Sequence, residues 1–231
     1  MKTNVGIIFA DEMEYKPFKE KALSLNAKEE KFHKLNSLSF SFSKGEDELF
    51  VTAVECGIGK VNAAFAASCL ILEKNVQIVL NAGLSGAVSG VRRGDIVAGE
   101  SFLECDFDLT AIGYPLAKKP DGDETVHSAD PSLLKKALSL GEIKSGKLGT
   151  GDLFLTDSQK KSLFKNLFDL CAFDMETAAI AAVCSKCDVP FLSLRKISDD
   201  ADDSSAEDYR EMNEKAESCL SDILFRLFEL I

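Results

Sequence analysis

Glu176 and Asp199 are the residues whose placement most directly offers chemistry. A run that reads as a buried strand ends at Asp174-Met175-Glu176, and the helix Thr177–Cys187 follows it. A second apolar run, Pro190–Leu194, leads into Arg195-Lys196-Ile197-Ser198-Asp199-Asp200-Ala201-Asp202. Both carboxylates therefore stand just past strand ends joined by one helix, and in an open α/β sheet ligands bind outside the carboxyl ends of the strands. One carboxylate can fix a ligand while a second, differently placed, does proton chemistry. A solvated acidic face accounts well for Asp200, Asp202 and Asp203 but poorly for Glu176. That residue opens a helix of small side chains, Thr177–Ala182, suited to tight packing, where the helix dipole favours a negative charge.

Three further features stand at strand ends. Ala10-Asp11-Glu12-Met13-Glu14 reads in isolation as an acidic helix start; a carboxylate there can also reach the crevice as a general base. In Cys56-Gly57-Ile58-Gly59-Lys60, two glycines before a helix permit close backbone approach and present N–H groups to a ligand. The spacing is not that of a P-loop, and a plain strand-to-helix turn is nearly as good a reading. Asn81-Ala82-Gly83-Leu84-Ser85-Gly86 reads as a glycine-rich turn, able to cradle a sugar or phosphate or merely to reverse the chain.

The elements that must position these residues alternate along the chain. Strands are expected at Val5–Phe9, Leu38–Phe42, Glu48–Val54, Val76–Leu80 and Asp95–Ala98. Helices are expected at Asp11–Leu23, Val61–Leu72, Pro131–Leu140 and Asp157–Leu167, the last two separated by the glycine-punctuated segment Gly146–Gly151. A closing helix is expected over Ala206–Leu230, with Met212, Ala216, Cys219, Leu220, Ile223, Leu224 and Leu227 at helical spacing. The polar stretch Leu116–Asp130 reads as an exposed loop, over a site or at a subunit contact. This alternation predicts an α/β fold with a central mixed, mainly parallel twisted sheet flanked by helices, in a single domain spanning 1–231.

With 231 residues, 45% hydrophobic and 28% charged, the composition is that of an ordinary globular protein able to bury a large core. A net charge of −11 argues against nucleic acid or an anionic membrane as partner, since both call for a basic surface. No apolar run approaches the ~20 residues of a membrane span, and Val5–Ala10 is too short for a signal peptide core. Seven cysteines without framework spacing read as free thiols of a reducing cytoplasm. Cys184 and Cys187 form a C-x-x-C within a predicted helix with no second pair, so packing is expected there rather than zinc or redox chemistry.

Taken together, Met175-Glu176 with its alanine-rich helix, Val189-Pro190-Phe191 and the run Arg195 to Asp202 resemble the nucleoside phosphorylase/hydrolase superfamily. Within it the resemblance is greatest to the bacterial 5′-methylthioadenosine/S-adenosylhomocysteine nucleosidases. Supporting matches fall in order along nearly the whole chain: Gly6-Ile7-Ile8 with Glu14, Gly57 to Val61, Asn81-x-Gly83, Gly94 to Val97, Asp108 to Tyr114, and Gly151-Asp152-x-Phe154. The resemblance implies that Glu14 activates the attacking water, that Glu176 grips the ribose 2′- and 3′-hydroxyls with Met175 beside the sugar, and that Asp199, held by Ser198, protonates adenine N7. It places Phe154 and the backbone of Leu155 against adenine, and Ile58 and Gly86 in the glycine-bearing segments that line the substrate. Ile112, Tyr114 and the loop after them would shape the alkylthio pocket, partly from the neighbouring subunit of a homodimer. Phe9 and Leu84 depart from the family pattern, and both departures are expected around the sugar and its 5′ arm.

Cleavage of an N-glycosidic bond passes through an oxocarbenium-like sugar, which a nearby carboxylate stabilises. Phosphorylases of this superfamily place arginines around phosphate, one of them at the position held here by Asn81, and no arginine occurs between Met1 and Gly90. Water is therefore the expected acceptor, and no metal or organic cofactor is expected. The implied activity is hydrolysis of 5′-methylthioadenosine and S-adenosylhomocysteine in the cytoplasm. The rivals are a nucleosidase for an adenosine- or futalosine-like nucleoside, and a weakly active nucleoside-binding relative.

Overall fold

The fold is that of a computed structural model and is described for residues 2–120, 124–202 and 217–231. Strand β1 (Lys2–Phe9) has both faces buried from Val5 onward, and parallel neighbours flank it: β4 (Asp47–Glu55) on one side and β5 (Ile78–Ala87) on the other. Helix α1 (Glu12–Leu23) follows β1, capped by Asp11, whose side chain accepts from the Glu14 N–H. Strands β2 (Lys28–Phe32) and β3 (Leu35–Lys44) extend the sheet antiparallel beyond β4. Helix α2 (Lys60–Leu72) crosses from β4 to β5.

On its other side the sheet closes on itself. Strand β10 (Phe191–Asp199) pairs with β5 in parallel and with β6 (Ile96–Glu104) antiparallel. Strand β8 (Ile143–Thr150) joins β6 to β9 (Ala172–Asp174), and β9 returns to β5 at Gly86 and Ala87. A ring of β5, β10, β6, β8 and β9 results, which removes the sheet edges on that side. Strand β7 (Val126–Ser128) pairs with β6. Helices α3 (Pro131–Leu138), α4 (Ser158–Phe168) and α5 (Thr177–Lys186) complete the connections, and α6 (Glu217–Phe228) closes the chain.

The mixed sheet flanked by helices agrees with the sequence reading; the ring closure goes beyond it. Four segments differ. Asn81–Gly86 is not a turn but the continuation of β5, because each residue pairs with the adjacent strand β10. Gly146–Thr150 belongs to β8, and the stretch Leu116–Asp130 contains β7. Strand β2 was not expected, since Lys28–Lys31 is charged and exposed and carries no apolar alternation. Met212 and Ala216 lie outside the described residues.

Helix α6 seals one end of the core through rings. Phe225 stacks on Phe18 of α1 at 5.3 Å between centroids, and Phe228 meets Phe42 of β3 at 5.5 Å. Phe9 joins the same cluster, 5.3 Å from Phe18 and 5.6 Å from Tyr15. This corrects the expectation that Phe9 sits at the sugar: its ring points into the core beneath α1. Phe228 is completely buried. Its replacement by alanine is expected to lower the unfolding free energy by about 3–5 kcal/mol, the usual range for a phenylalanine lost from a packed core. Urea unfolding of Phe228→Ala checks this, and a change below about 1 kcal/mol would mean that α6 does not seal the core.

Candidate active site

The carboxyl ends of β1, β5, β9 and β10 surround a cavity of about 460 Å³. Ala10, Asp11 and Glu14 line it from the start of α1, and Leu84, Ser85 and Gly86 from the end of β5. Asp174, Met175 and Glu176 come from the end of β9, and Ser198 and Asp199 from that of β10. Ile58, Leu153, Phe154, Leu155 and Phe173 give it apolar walls. The three expected carboxylates, Glu14, Glu176 and Asp199, thus share one cavity, together with Met175, Phe154, Leu155, Ser198, Ile58 and Gly86. Ile112 and Tyr114 do not line it; Ile112 is 70% exposed on the short 3-10 turn Thr110–Ile112.

Each carboxylate is held by donors of its own. Glu14 Oε1 accepts from the Leu84 N–H at 2.7 Å, and its Oε2 from the Ala10 N–H at 3.0 Å. Glu176 Oε1 accepts from the Gly59 N–H at 3.0 Å. Asp199 Oδ2 accepts from the Ser198 hydroxyl at 2.6 Å, and Oδ1 from the Ala201 N–H at 2.8 Å. Glu176 does not cap the helix it opens. Asp174 Oδ1 does so instead, accepting from the N–H groups of Glu176 at 2.9 Å and Thr177 at 2.8 Å, which leaves the Glu176 carboxylate to the cavity.

Behind the carboxylates lies Arg195, which sequence reasoning left unassigned. It sits in the middle of β10 and is completely buried. Its Nη2 donates to Asn81 Oδ1 at 2.7 Å and to Thr177 Oγ1 at 2.6 Å, Nε to Thr177 Oγ1 at 3.1 Å, and Nη1 to the Leu84 carbonyl at 3.2 Å. Thr177 Oγ1 in turn donates to Asp174 Oδ2 at 2.5 Å. Two carboxylates balance the charge directly, Asp174 at 3.5 Å and Glu176 at 3.7 Å. The missed signal was an arginine flanked by Phe191–Leu194 and Ile197: a charge inside so apolar a run must be buried and paired. Asn81 serves this arginine, and its Nδ2 donates to the Ile8 carbonyl at 2.9 Å.

The glycines of β5 make room for this arrangement. A Cβ on Gly83 would lie 2.5 Å from both Arg195 Nη1 and Glu14 Oε1, and one on Gly86 would lie 2.8 Å from Asp199 Oδ1. Side chains converge on the strand from α1 and β10, which is why the pattern imitates a turn. Leu84 lines the cavity as expected, and its N–H is the shorter of the two bonds to Glu14. Ser85 is buried at the cavity wall, and its hydroxyl has no hydrogen-bond partner among the described residues.

Burial pushes the Glu14 carboxyl up from 4.5 to about 8; Arg195 opposes the shift, while Asp11 and Glu176 add to it. Burial also raises Glu176, again against Arg195. The folded protein therefore keeps a proton on Glu14 that the unfolded chain releases near the ordinary carboxylate value. That stabilising contribution is complete below about 4.5 and is lost as the pH rises through about 8. Wild-type stability should accordingly fall between pH 6 and 9 more steeply than that of Glu14→Gln. Urea midpoints across that range test the effect, and parallel curves for the two proteins would contradict it.

Comparison with known proteins places this geometry. The profile of the Phosphorylase superfamily matches residues 4–229. A 5′-methylthioadenosine/S-adenosylhomocysteine nucleosidase of Staphylococcus epidermidis is 32% identical over 233 residues, covering 97% of this chain and 99% of its own. An aminodeoxyfutalosine nucleosidase of Campylobacter jejuni is 32% identical over 179 residues, covering 75% of this chain and 77% of its own. The crystal structure of a Helicobacter pylori MTAN mutant, aspartate to asparagine, with 5′-methylthioadenosine in the active site, superposes with a TM-score of 0.91 at 25% identity and covers both chains completely. The chain belongs to the phosphorylase superfamily and, within it, to the family of the 5′-methylthioadenosine/S-adenosylhomocysteine nucleosidases and their relatives.

Proposed function

We propose that this chain hydrolyses the N-glycosidic bond of 5′-methylthioadenosine and S-adenosylhomocysteine, releasing adenine and the 5′-thioribose. The observation that carries this reading is the charge of the cavity. Glu14, Glu176 and Asp199 line it, no lysine, arginine or histidine does so among the described residues, and the arginine behind it already donates to protein acceptors. A phosphate dianion would meet carboxylates without a cationic partner. His33, the histidine of the first ninety residues, pairs with Glu73 outside the cavity. Water is the acceptor that such a site favours.

In this reading Asp199 gives a proton to adenine N7, and the C1′–N9 bond breaks with its electron pair going to the base. Positive charge then develops on the sugar, where Glu176 accepts hydrogen bonds from the 2′- and 3′-hydroxyls and stabilises it electrostatically. A water molecule attacks C1′ and yields a proton to the ionised form of Glu14, the carboxyl that burial raises to about 8. The apolar walls Phe154, Leu155, Ile58 and Met175 enclose the base and sugar, with Gly86 passing close beside Asp199.

The same reading makes the protein a cytoplasmic homodimer in which Ile112 and Tyr114, outside the cavity of their own chain, complete the 5′ pocket of the partner. A monomer by sedimentation at assay concentration would remove the dimer from this account. A second reading, a nucleosidase with another 5′ arm, is favoured by Leu84, an apolar side chain at the wall where the family pattern has a small polar residue, and by the likeness to an aminodeoxyfutalosine nucleosidase. One assay addresses both substrate readings: adenine release in phosphate-free buffer from nucleosides that differ only in the 5′ substituent. Turnover without phosphate, best with alkylthio substrates, is expected. A strict phosphate requirement would overturn hydrolysis, and preference for a bulky carboxylated arm would favour the second reading. Asp199→Asn and Glu176→Gln should each slow the reaction by about a hundredfold or more while the protein stays folded, and near-wild-type rates would remove that residue from the mechanism.

A further inference from the structure

We infer that Asp106 and Lys60 are positioning residues that set the Gly59 N–H against Glu176 and so determine how firmly the ribose hydroxyls are held. The inference rests on the ribose role proposed for Glu176. Of the two Glu176 oxygens, Oε2 faces Arg195 at 3.7 Å and Oε1 accepts from the Gly59 N–H at 3.0 Å. The Gly59 donor belongs to a residue with φ +99°, a conformation that glycine adopts readily, and Gly59, at the N-cap of α2, has no side chain of its own to cap the helix. Its direction must come from neighbouring groups.

Those groups form a charged clamp at the rim of the cavity. The Lys60 N–H donates to Asp152 Oδ1 at 2.8 Å, and Lys60 Nζ donates to Asp106 Oδ1 at 2.7 Å and Glu104 Oε2 at 3.3 Å. Asp106 Oδ2 accepts from the Asp152 N–H at 2.9 Å, so one carboxylate joins the start of α2 to the turn that leads into Leu153, Phe154 and Leu155. Lys119 Nζ adds a bond to Glu104 Oε1 at 2.6 Å. The Lys60 and Asp106 side chains are only 19% and 23% exposed, so water screens the pair less than an ordinary surface bridge. A network that merely tied loops together would affect folding alone. This one holds the residue next to the Glu176 donor from both its backbone and its side chain.

The test compares kcat/KM for a purine ribonucleoside substrate and its 2′-deoxy analogue in wild type, Asp106→Asn, Lys60→Met and Glu176→Gln, with thermal midpoints recorded for each. Wild type should prefer the ribonucleoside, and Glu176→Gln should abolish the preference. Asp106→Asn and Lys60→Met should reduce the preference by about fivefold to tenfold, the effect of weakening one charge-assisted hydrogen bond. If both variants lose rate on the two substrates equally, the clamp is only structural and the inference falls while the Glu176 role stands. If neither wild type nor Glu176→Gln discriminates, the ribose role and the inference fall together. Should Asp106→Asn not fold, Lys60→Met decides the question alone.

Discussion

The buried guanidinium of Arg195 is the constraint around which the cavity is arranged. A charge taken wholly out of water destabilises the fold unless it is paired and its donors are satisfied. Here Asn81, Thr177 and the Leu84 carbonyl take its hydrogen bonds, and Asp174 and Glu176 balance its charge. Those partners lie on β5, β9, α5 and the turn between the last two, so satisfying one side chain draws these elements together. Gly83 admits the guanidinium and the Glu14 carboxylate over the same strand. The Leu84 backbone serves both groups, its carbonyl accepting from Arg195 and its N–H donating to Glu14.

This arrangement explains why acidic groups can crowd one apolar cavity and still do different things. Asp174 is tied to the helix start and to Thr177, so it acts as scaffold. Glu14, which burial pushes to about 8, is held by the Leu84 and Ala10 N–H groups. Glu176 has one oxygen toward Arg195 and the other on a backbone N–H, which orients a carboxylate suited to accept from two adjacent hydroxyls. Asp199 is fixed by Ser198 and Ala201 at the end of β10. The cation that supports these groups is behind the cavity wall, where it stabilises carboxylates without offering a place for phosphate.

Much of this was legible in the residues. Strand-end logic brought Glu176 and Asp199 to one crevice, and the helices expected at Asp11–Leu23, Val61–Leu72 and Thr177–Cys187 correspond to α1, α2 and α5. What escaped depended on contacts between distant segments. Gly83 and Gly86 carry the signature of a turn, yet their small size is demanded by side chains arriving from α1 and β10. Gly146 and Gly149 likewise stand in a strand whose partners crowd it. Ring closure rests on β9, a strand of three residues, too short to show periodicity. Phe9 belongs to the aromatic cluster under α6, a contact invisible without the C-terminal helix in place. Arg195 was hidden by treating the strand as finished at Leu194.

The central claim is that water, activated by Glu14, attacks the sugar in a site lined by no cation among the described residues. The most direct measurement is mass spectrometry of the sugar product after turnover of 5′-methylthioadenosine in water enriched in heavy oxygen, with inorganic phosphate also present. The account predicts one heavy oxygen on the anomeric hydroxyl of 5′-methylthioribose and no sugar phosphate. A 5′-methylthioribose 1-phosphate product would contradict it.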